Sequence, residues 1–174
     1  KNYADLSSAC YSGFGGVGFI DLDLDGLPEL VLFDGGASAS MGVQFFDIAD
    51  GEVTCVSASM VAVGELYGGT YFSTTYVNAK SFEDFRLLED PDGTRYFEAL
   101  SGNGAADFWY TERIRFTSTD GILGLHSVLY KRVTVDVETG EDLSATYTVD
   151  GFAADQDTYD AAEEAAAAAQ DTGY

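Results

Sequence analysis

The chain has 174 residues, the size of one domain that can bury a hydrophobic core. Thirty Asp and Glu side chains against eight Lys and Arg give a formal net charge of -22. Such a surface repels the phosphates of nucleic acids and of anionic membranes, which argues against nucleic acid as a partner. The sequence contains no apolar run near the roughly 20 residues of a membrane helix, so we expect no membrane insertion by this segment.

Apolar residues make up 46% of the chain and aromatic residues 14%, which predicts a folded protein despite the charge. We expect a single β-rich domain over residues 1–174. Residues 1–16 are predicted as a short helix and loop, because Tyr3, Leu6 and Cys10 follow helical spacing before a run of glycines. The only other cysteine is Cys55, and the two are in no CxxC arrangement, so a disulfide and two free thiols are both open.

Residues 17–151 are predicted to form antiparallel strands. Asp-Gly and Gly-rich turns recur between aromatic and β-branched stretches, and such turns supply the positive φ angles that hairpins require. The predicted strands are 18–20, 29–33, 43–48, 52–57, 70–77, 95–100, 108–117, 123–137 and 145–149. The resulting fold class is α+β and mainly β, an antiparallel meander with a strongly twisted or partly closed sheet.

Two further patterns complete the fold prediction. In the stretch FWYTERIRFTS, alternation places one set of side chains on a face that we expect to point to the core: Phe108, Tyr110, Glu112, Ile114 and Phe116. Residues 155–170 are rich in alanine and begin with acidic residues, which predicts a C-terminal helix with Asp155 or Asp157 as its N-cap.

The stretch FIDLDLDGLPELVLF carries four carboxylates within nine residues. They are Asp21, Asp23, Asp25 and Glu29, with a glycine between the third and the fourth. Like charges this close repel one another, and a hard cation that takes six to eight oxygens removes the repulsion. The alternating acids, together with the backbone carbonyl of Leu27, therefore predict a Ca²⁺ loop. The alternative is a polar hairpin turn whose acids point to water.

The spacing excludes an EF-hand, because the residue at its bidentate position twelve is Leu32 and the flanking residues are strand-like. The loop instead resembles the calcium loops of integrin-type propeller repeats, with their pattern D-x-D-x-D-G-x-x-D. Glu29 takes the place of the final aspartate. At the affinities typical of extracellular modules, about 10⁻⁴ to 10⁻³ M, the ion would be mainly structural.

Three stretches together resemble a group of exported bacterial proteins, which come mostly from gut anaerobes of the Firmicutes type and are often lipoproteins or surface proteins. The stretches are GFIDLDLDGLPELVLF, RYFEALSGNGAADFWYTERIRF and TYTVDGFAADQDTYDAAEEAAAA, in the same order. The resemblance implies a β-rich domain at the cell surface or outside the cell, and no particular activity. Asp21, Asp23, Asp25 and Glu29 match its loop, whereas Leu24 stands where that group usually has Gly or Asn. Since residue 1 is Lys rather than Met, we expect the signal segment to have been removed.

Other candidate sites are weaker. Trp109 and Tyr110, with Asn103 and Asp107, are a candidate ligand-binding segment, because aromatic rings stack on sugars. The alternative is a hairpin whose rings pack on neighbouring strands, and alternation places the two rings on opposite faces. We assign no catalytic residue. The only histidine is His126; the adjacent Ser127 points to the opposite face of the predicted strand, and the sequence has no G-x-S-x-G nucleophile motif.

Three functions remain open from the sequence. The first is a non-enzymatic, calcium-stabilised binding or interaction domain of the bacterial surface or exterior, with a protein or glycan partner. The second is a secreted glycan-acting hydrolase that uses an unidentified pair of carboxylates, which the sequence does not select among its thirty acids. The third is a structural spacer domain.

Overall fold

The computed structural model describes residues 14–34, 42–49, 51–55, 58–59, 73–74, 76–77 and 84–173. These residues are mainly β-strand, with antiparallel sheets and one helix near the C-terminus, as the sequence predicts. The strands are β1 Phe14–Ile20, β2 Glu29–Asp34, β3 Gly42–Ala49, β4 Glu52–Cys55, β5 Ala58–Ser59, β6 Ser73–Thr74, β7 Tyr76–Val77, β8 Phe85–Glu89, β9 Arg95–Ala105, β10 Phe108–Thr119, β11 Ile122–Val135, β12 Asp142–Val149, β13 Phe152–Ala154 and β14 Gln170–Asp171, and the helix is α1 Gln156–Ala167. The predicted helix and loop of residues 1–16 lie outside the described residues apart from the last three positions of the loop, which belong to β1.

Two antiparallel sheets make up most of the fold. The first has the order β1-β2-β3-β4, and β7 also pairs with β3. The second has seven strands in the order β13-β12-β11-β10-β9-β8-β14. A two-stranded sheet joins β5 to β6. Neither of the two larger sheets closes on itself within the described residues, so the sheet is open rather than partly closed.

The hairpin turns follow from Asp-Gly pairs. Asp120 and Gly121 have φ angles of 55° and 73°, and Asp150 and Gly151 have 51° and 78°. Two successive positive φ angles match the right-handed twist of the strands that a tight hairpin joins. The turn signals in the sequence therefore placed these strand connections correctly.

The two large sheets share one hydrophobic core. Phe45 of β3 is fully buried, and its ring centroid lies 5.0 Å from that of Phe116 on β10 and 5.9 Å from that of Phe85 on β8. Edge-to-face aromatic contacts of this kind stabilise beyond the area that they bury. The buried cluster is completed by Ile20, Leu22, Val31, Leu87, Phe97, Ala99, Ile114, Leu123 and Leu125. Because Leu22 is a member, the Asp-rich loop is anchored in this core.

The other face of the second sheet is covered by α1. Asp155 is the N-cap and accepts a hydrogen bond from the backbone N–H of Thr158 at 2.9 Å, as its sequence position predicts. Tyr159 is the one buried side chain of the helix, and its ring centroid lies 5.1 Å from that of Tyr147. The helix ends at Ala167 rather than at the predicted residue 170, because Gln170 and Asp171 pair with β8 as β14.

Candidate metal centre

The Asp-rich loop connects two paired strands of the first sheet. Ile20 at the end of β1 lies opposite Glu29 at the start of β2. Asp21 follows Ile20 directly, so the register of the hairpin brings the first and the last acid of the loop to the same end of the sheet. The strand-loop-strand arrangement predicted from the sequence is confirmed.

Hydrogen bonds within the loop fix three carboxylates to the backbone. Asp21 Oδ2 accepts from the N–H of Gly26 at 3.0 Å, and Asp23 Oδ1 accepts from the N–H of Asp25 at 3.2 Å. Asp25 Oδ1 accepts from the N–H of Leu27 at 2.7 Å. Gly26 has a φ angle of 92°, a left-handed conformation in which a side chain would be strained, so glycine is required at the sharpest point of the loop.

Three of the four acids converge. Asp21, Asp23 and Glu29 each offer a carboxylate oxygen, and these atoms all lie within 4.8 Å of one another. Glu29 is only 2% exposed, and its Oε2 accepts from the N–H of Leu22 at 2.6 Å. Asp21 Oδ1 is shielded from solvent and has no hydrogen-bond partner in the part of the chain that the structure describes. Carboxylate oxygens are the preferred ligands of hard cations, so this cluster can hold a metal ion.

Burial and charge repulsion raise the proton affinity of the cluster. Burial raises the pKa of Glu29 to about 7, and the negative charges of Asp23 and Asp47 act in the same direction, against the Leu22 N–H bond. Burial also raises the pKa of Asp23, opposed by a hydrogen bond from Ser118 and the backbone bond from Asp25. A cation among these groups would replace the repulsion by attraction.

Two of the five predicted ligands are not part of this group. Asp25 is exposed, and its carboxylate is engaged by the backbone within the loop. The side chain of Leu27 is 60% exposed, and a role for its carbonyl oxygen stays a prediction.

The sequence did not indicate the two distant residues that border the cluster. Asp47 lies on β3 and accepts from the backbone N–H of Leu123 at 3.2 Å, and Ser118 lies on β10. Neither carries a local signal, because strand pairing and sheet packing bring them near the loop. They show that the cluster sits where the two sheets meet.

The aromatic candidates are distributed over both faces of the second sheet. The ring of Tyr110 stacks on that of Tyr130, with centroids 5.6 Å apart. The ring of Trp109, one position earlier in the strand, has Lys131 Nζ at 5.3 Å from its centroid. Since neighbouring strand positions point to opposite faces, the two rings do not form one flat platform.

The polar partners predicted for these rings lie in and beside the β9–β10 turn. Asn103 Oδ1 accepts from the N–H of Gly104 at 2.8 Å, and Asp107 is exposed in the turn. The backbone carbonyl of Asp107 accepts from the N–H of Val135 at 2.8 Å, which ties the turn to β11. Ligand binding by these four residues stays a prediction.

Among the described residues, no helix has the length and apolar character needed to cross a membrane. Comparison of the chain with protein-family models, with curated proteins and with solved structures gives no match.

Proposed function

We propose that this chain is a non-enzymatic, calcium-stabilised binding domain that acts at the surface of a bacterium or outside it. The observation that supports the proposal most strongly is the convergence of Asp21, Asp23 and Glu29 within 4.8 Å. Glu29 opens β2 and neighbouring Leu22 belongs to the shared core. An ion held here would thus tie the β1–β2 loop to the packing of both sheets.

Calcium is the ion that the chemistry favours. All three side chains offer carboxylate oxygens, which bind hard cations in preference to softer metals. Loop carbonyls and water complete the six to eight oxygens that Ca²⁺ takes, whereas Mg²⁺ requires a stricter octahedral arrangement. A site with the affinity usual for extracellular modules is occupied only where calcium is millimolar. This agrees with the surface location implied by the resemblance to exported proteins.

A thermal melt in millimolar Ca²⁺ and in chelator tests the metal assignment. With a Kd of about 10⁻⁴ M, 1 mM Ca²⁺ adds about 1.4 kcal/mol and raises the midpoint by about 3–6 °C. The double variant Asp21→Asn, Asp23→Asn should lose this rise. Mg²⁺ at the same concentration should give a smaller rise than Ca²⁺.

A matched control separates ion binding from net charge. The double variant Glu141→Gln, Asp142→Asn removes the same two charges from an exposed turn. It should keep the full response to calcium. A response of equal size in both double variants, or none in the parent chain, would contradict the proposed calcium site.

The non-enzymatic role is tested with a panel of glycans assayed for both binding and cleavage. Binding of one member without cleavage supports the proposed role, and cleavage would identify a hydrolase instead. A hydrolase needs two carboxylates facing one bond. Two deeply buried acids of the second sheet, Glu98 and Glu112, cannot serve as that pair, because their positions in the β9–β10 register put them on opposite faces.

A further inference from the structure

A second polar site lies on the opposite side of the second sheet from the shared core. A cavity of about 290 Å³ lies between α1 and the sheet and is partly open to solvent. Ala162, Ala165 and Ala166 of the helix line one side. Because alanine side chains are short, the helix leaves this space where larger residues would fill it. The volume is near the lower end of the range of ligand pockets, about 300–1,000 Å³, and suits a small molecule.

The sheet side of this cavity carries a buried ion pair with one spare acceptor. Glu98 is 1% exposed, and its Oε1 lies 2.6 Å from Arg113 Nη1. Its second oxygen, Oε2, is buried and has no hydrogen-bond partner within the described ranges. A buried carboxylate oxygen left without a donor costs free energy. Because Glu98 lines the cavity, this buried acceptor without a donor lies at the cavity wall.

A donor without a partner among the described residues, Arg115 Nε, belongs to the residue beside Glu98 on the neighbouring strand. Arg115 lies directly opposite Glu98 in the β9–β10 register, so the two side chains are neighbours on one face. Its guanidinium carbon lies 3.6 Å from the ring centroid of Tyr96, and its Nε is buried without a partner in the described part of the chain. A group that both donates to Glu98 and accepts from Arg115 would satisfy the two atoms.

The remaining charges of the wall favour a cation. Asp90 and Asp150 also line the cavity, and Asp90 Oδ1 accepts from the Tyr96 hydroxyl at 2.9 Å. Burial raises the pKa of Tyr96 to about 12, so this hydroxyl stays a neutral donor. With Glu98 balanced by Arg113, the cavity lining holds two further carboxylates, Asp90 and Asp150, and the guanidinium of Arg115. Asp150 Oδ1 also lies 3.4 Å from His126 Nε2, outside the lining. The net charge of -22 on the whole chain adds to this preference for a cation over an anion.

We propose that this cavity binds a small ammonium compound with a hydroxyl group beside the ammonium group, of the amino-sugar or amino-alcohol class. The ammonium group donates to Glu98 Oε2, and the hydroxyl oxygen accepts from Arg115 Nε. The apolar carbon skeleton lies against the alanines of α1. The site is separate from the carboxylate cluster of the β1–β2 loop, so its ligand does not depend on whether that cluster binds calcium.

Isothermal titration of the parent chain with D-glucosamine and with ethanolamine tests the proposal. The titrations are made in chelator and 150 mM NaCl, which removes the metal and screens binding to the acidic surface as a whole. At least one of the two should bind saturably at a ratio of one to one. D-glucose and N-acetyl-D-glucosamine, which lack the charged amine, should bind at least tenfold more weakly than D-glucosamine. Absence of saturable binding by both amines, or equal binding of the uncharged sugars, would overturn it.

A pair of helix variants locates the binding. Ala162→Leu fills the cavity from the helix side, and the matched control Ala161→Leu places the same side chain at the adjacent exposed position. The first should weaken amine binding at least tenfold, and the second should leave it unchanged. Glu98→Gln is an independent variant that removes the charge and should also weaken amine binding. Unchanged affinity in both Ala162→Leu and Glu98→Gln would place the binding elsewhere and overturn the proposal.

Discussion

Two acidic segments of this chain contain the same number of carboxylates, but their carboxylates have different surroundings in the structure. Residues 21–29 contain four carboxylates, and so do residues 136–142, which form the turn after β11 and the first residue of β12. In the turn, Asp136 Oδ1 accepts from the N–H groups of both Glu138 and Thr139. These bonds hold the pKa of Asp136 below its usual value, and the other acids of the turn are exposed.

In loop 21–29 the corresponding carboxylates are partly buried. Glu29 begins a strand whose side chains enter the core, so its carboxylate is buried and its pKa rises to about 7. Asp21 keeps a buried oxygen without a partner within the described residues. The number of acids is thus a poor guide to a metal site. Backbone N–H groups bond carboxylates in both segments. What distinguishes loop 21–29 is that packing buries Glu29 and one oxygen of Asp21, with Asp23 close to both.

A buried acid outside both segments separates the effect of burial from that of clustering. Burial raises the pKa of Glu112 on β10 to about 7. The folded chain therefore holds a proton that the unfolded chain loses, and stability falls as the pH rises from about 4.5 to about 7. This shift corresponds to about 3 kcal/mol, so Glu112→Gln should be more stable than the parent at pH 8 by up to that amount and equal to it at pH 4.

Urea unfolding across this pH range measures the difference for Glu112→Gln. The exposed variant Glu138→Gln should show no pH-dependent difference in stability from the parent. Neither variant should alter the response to calcium. A difference between Glu112→Gln and the parent that stays constant from pH 4 to pH 8 would show that burial does not control this carboxyl.

The next largest effect distinguishes the two segments directly. Glu29→Ala removes the acceptor of the Leu22 N–H group from a buried position, which should cost about 2 kcal/mol in chelator. Glu138→Ala should cause no measurable loss, because its side chain is exposed. Urea unfolding of the two variants at pH 4, where the raised pKa of Glu29 no longer offsets the lost hydrogen bond, checks this contrast. Equal costs would remove the structural distinction between the segments.

A glycine at the bend is a requirement that both segments share. Gly26 and Gly140 have φ angles of 92° and 74°, and an added Cβ at either position meets no atom within 4 Å. Alanine at either position should therefore cost about 1 kcal/mol through backbone strain alone. Only Gly26→Ala should also weaken the response to calcium, as melts with and without the ion would show. An undiminished response in that variant would mean that the bend does not position the carboxylates.

The smallest effect concerns the strained residue within loop 21–29. Leu24 has a φ angle of 62°, and its side chain is 40% exposed. Asparagine adopts this left-handed conformation more readily, so Leu24→Asn should raise stability by about 0.5 kcal/mol in chelator. Chemical unfolding measures the change, and a clear destabilisation would show instead that the leucine side chain contributes packing.

The sequence predicted the hairpins best, because Asp-Gly turns and period-two alternation are local signals. It missed β8, whose residues FRLLE do not alternate: Leu87 and Leu88 are adjacent and both buried. This pattern arises because both faces of that strand are covered, which depends on the tertiary structure. The short strands β13 and β14 were missed because two or three residues carry no periodicity.

For the candidate site, spacing identified the loop but not the set of side chains that converge. The alternating pattern of the sequence does not distinguish Asp21, Asp23 and Asp25 as metal ligands. The structure turns Asp25 toward the N–H of Leu27 and buries Glu29 instead. That outcome depends on the left-handed residues of the loop and on the core beneath β2, which a linear motif does not encode.

Nuclear magnetic resonance of the ¹⁵N-labelled chain tests the metal assignment most directly, since it follows the backbone amides of Gly26 and Gly140 separately during a calcium titration. We expect a saturable shift of the Gly26 amide, with a Kd of about 10⁻⁴ to 10⁻³ M, and no saturable shift of the Gly140 amide. Glu29→Gln should reduce the Gly26 response. A Gly26 amide that does not move, or that moves together with Gly140, would show that both segments are ordinary acidic turns and would contradict the metal centre.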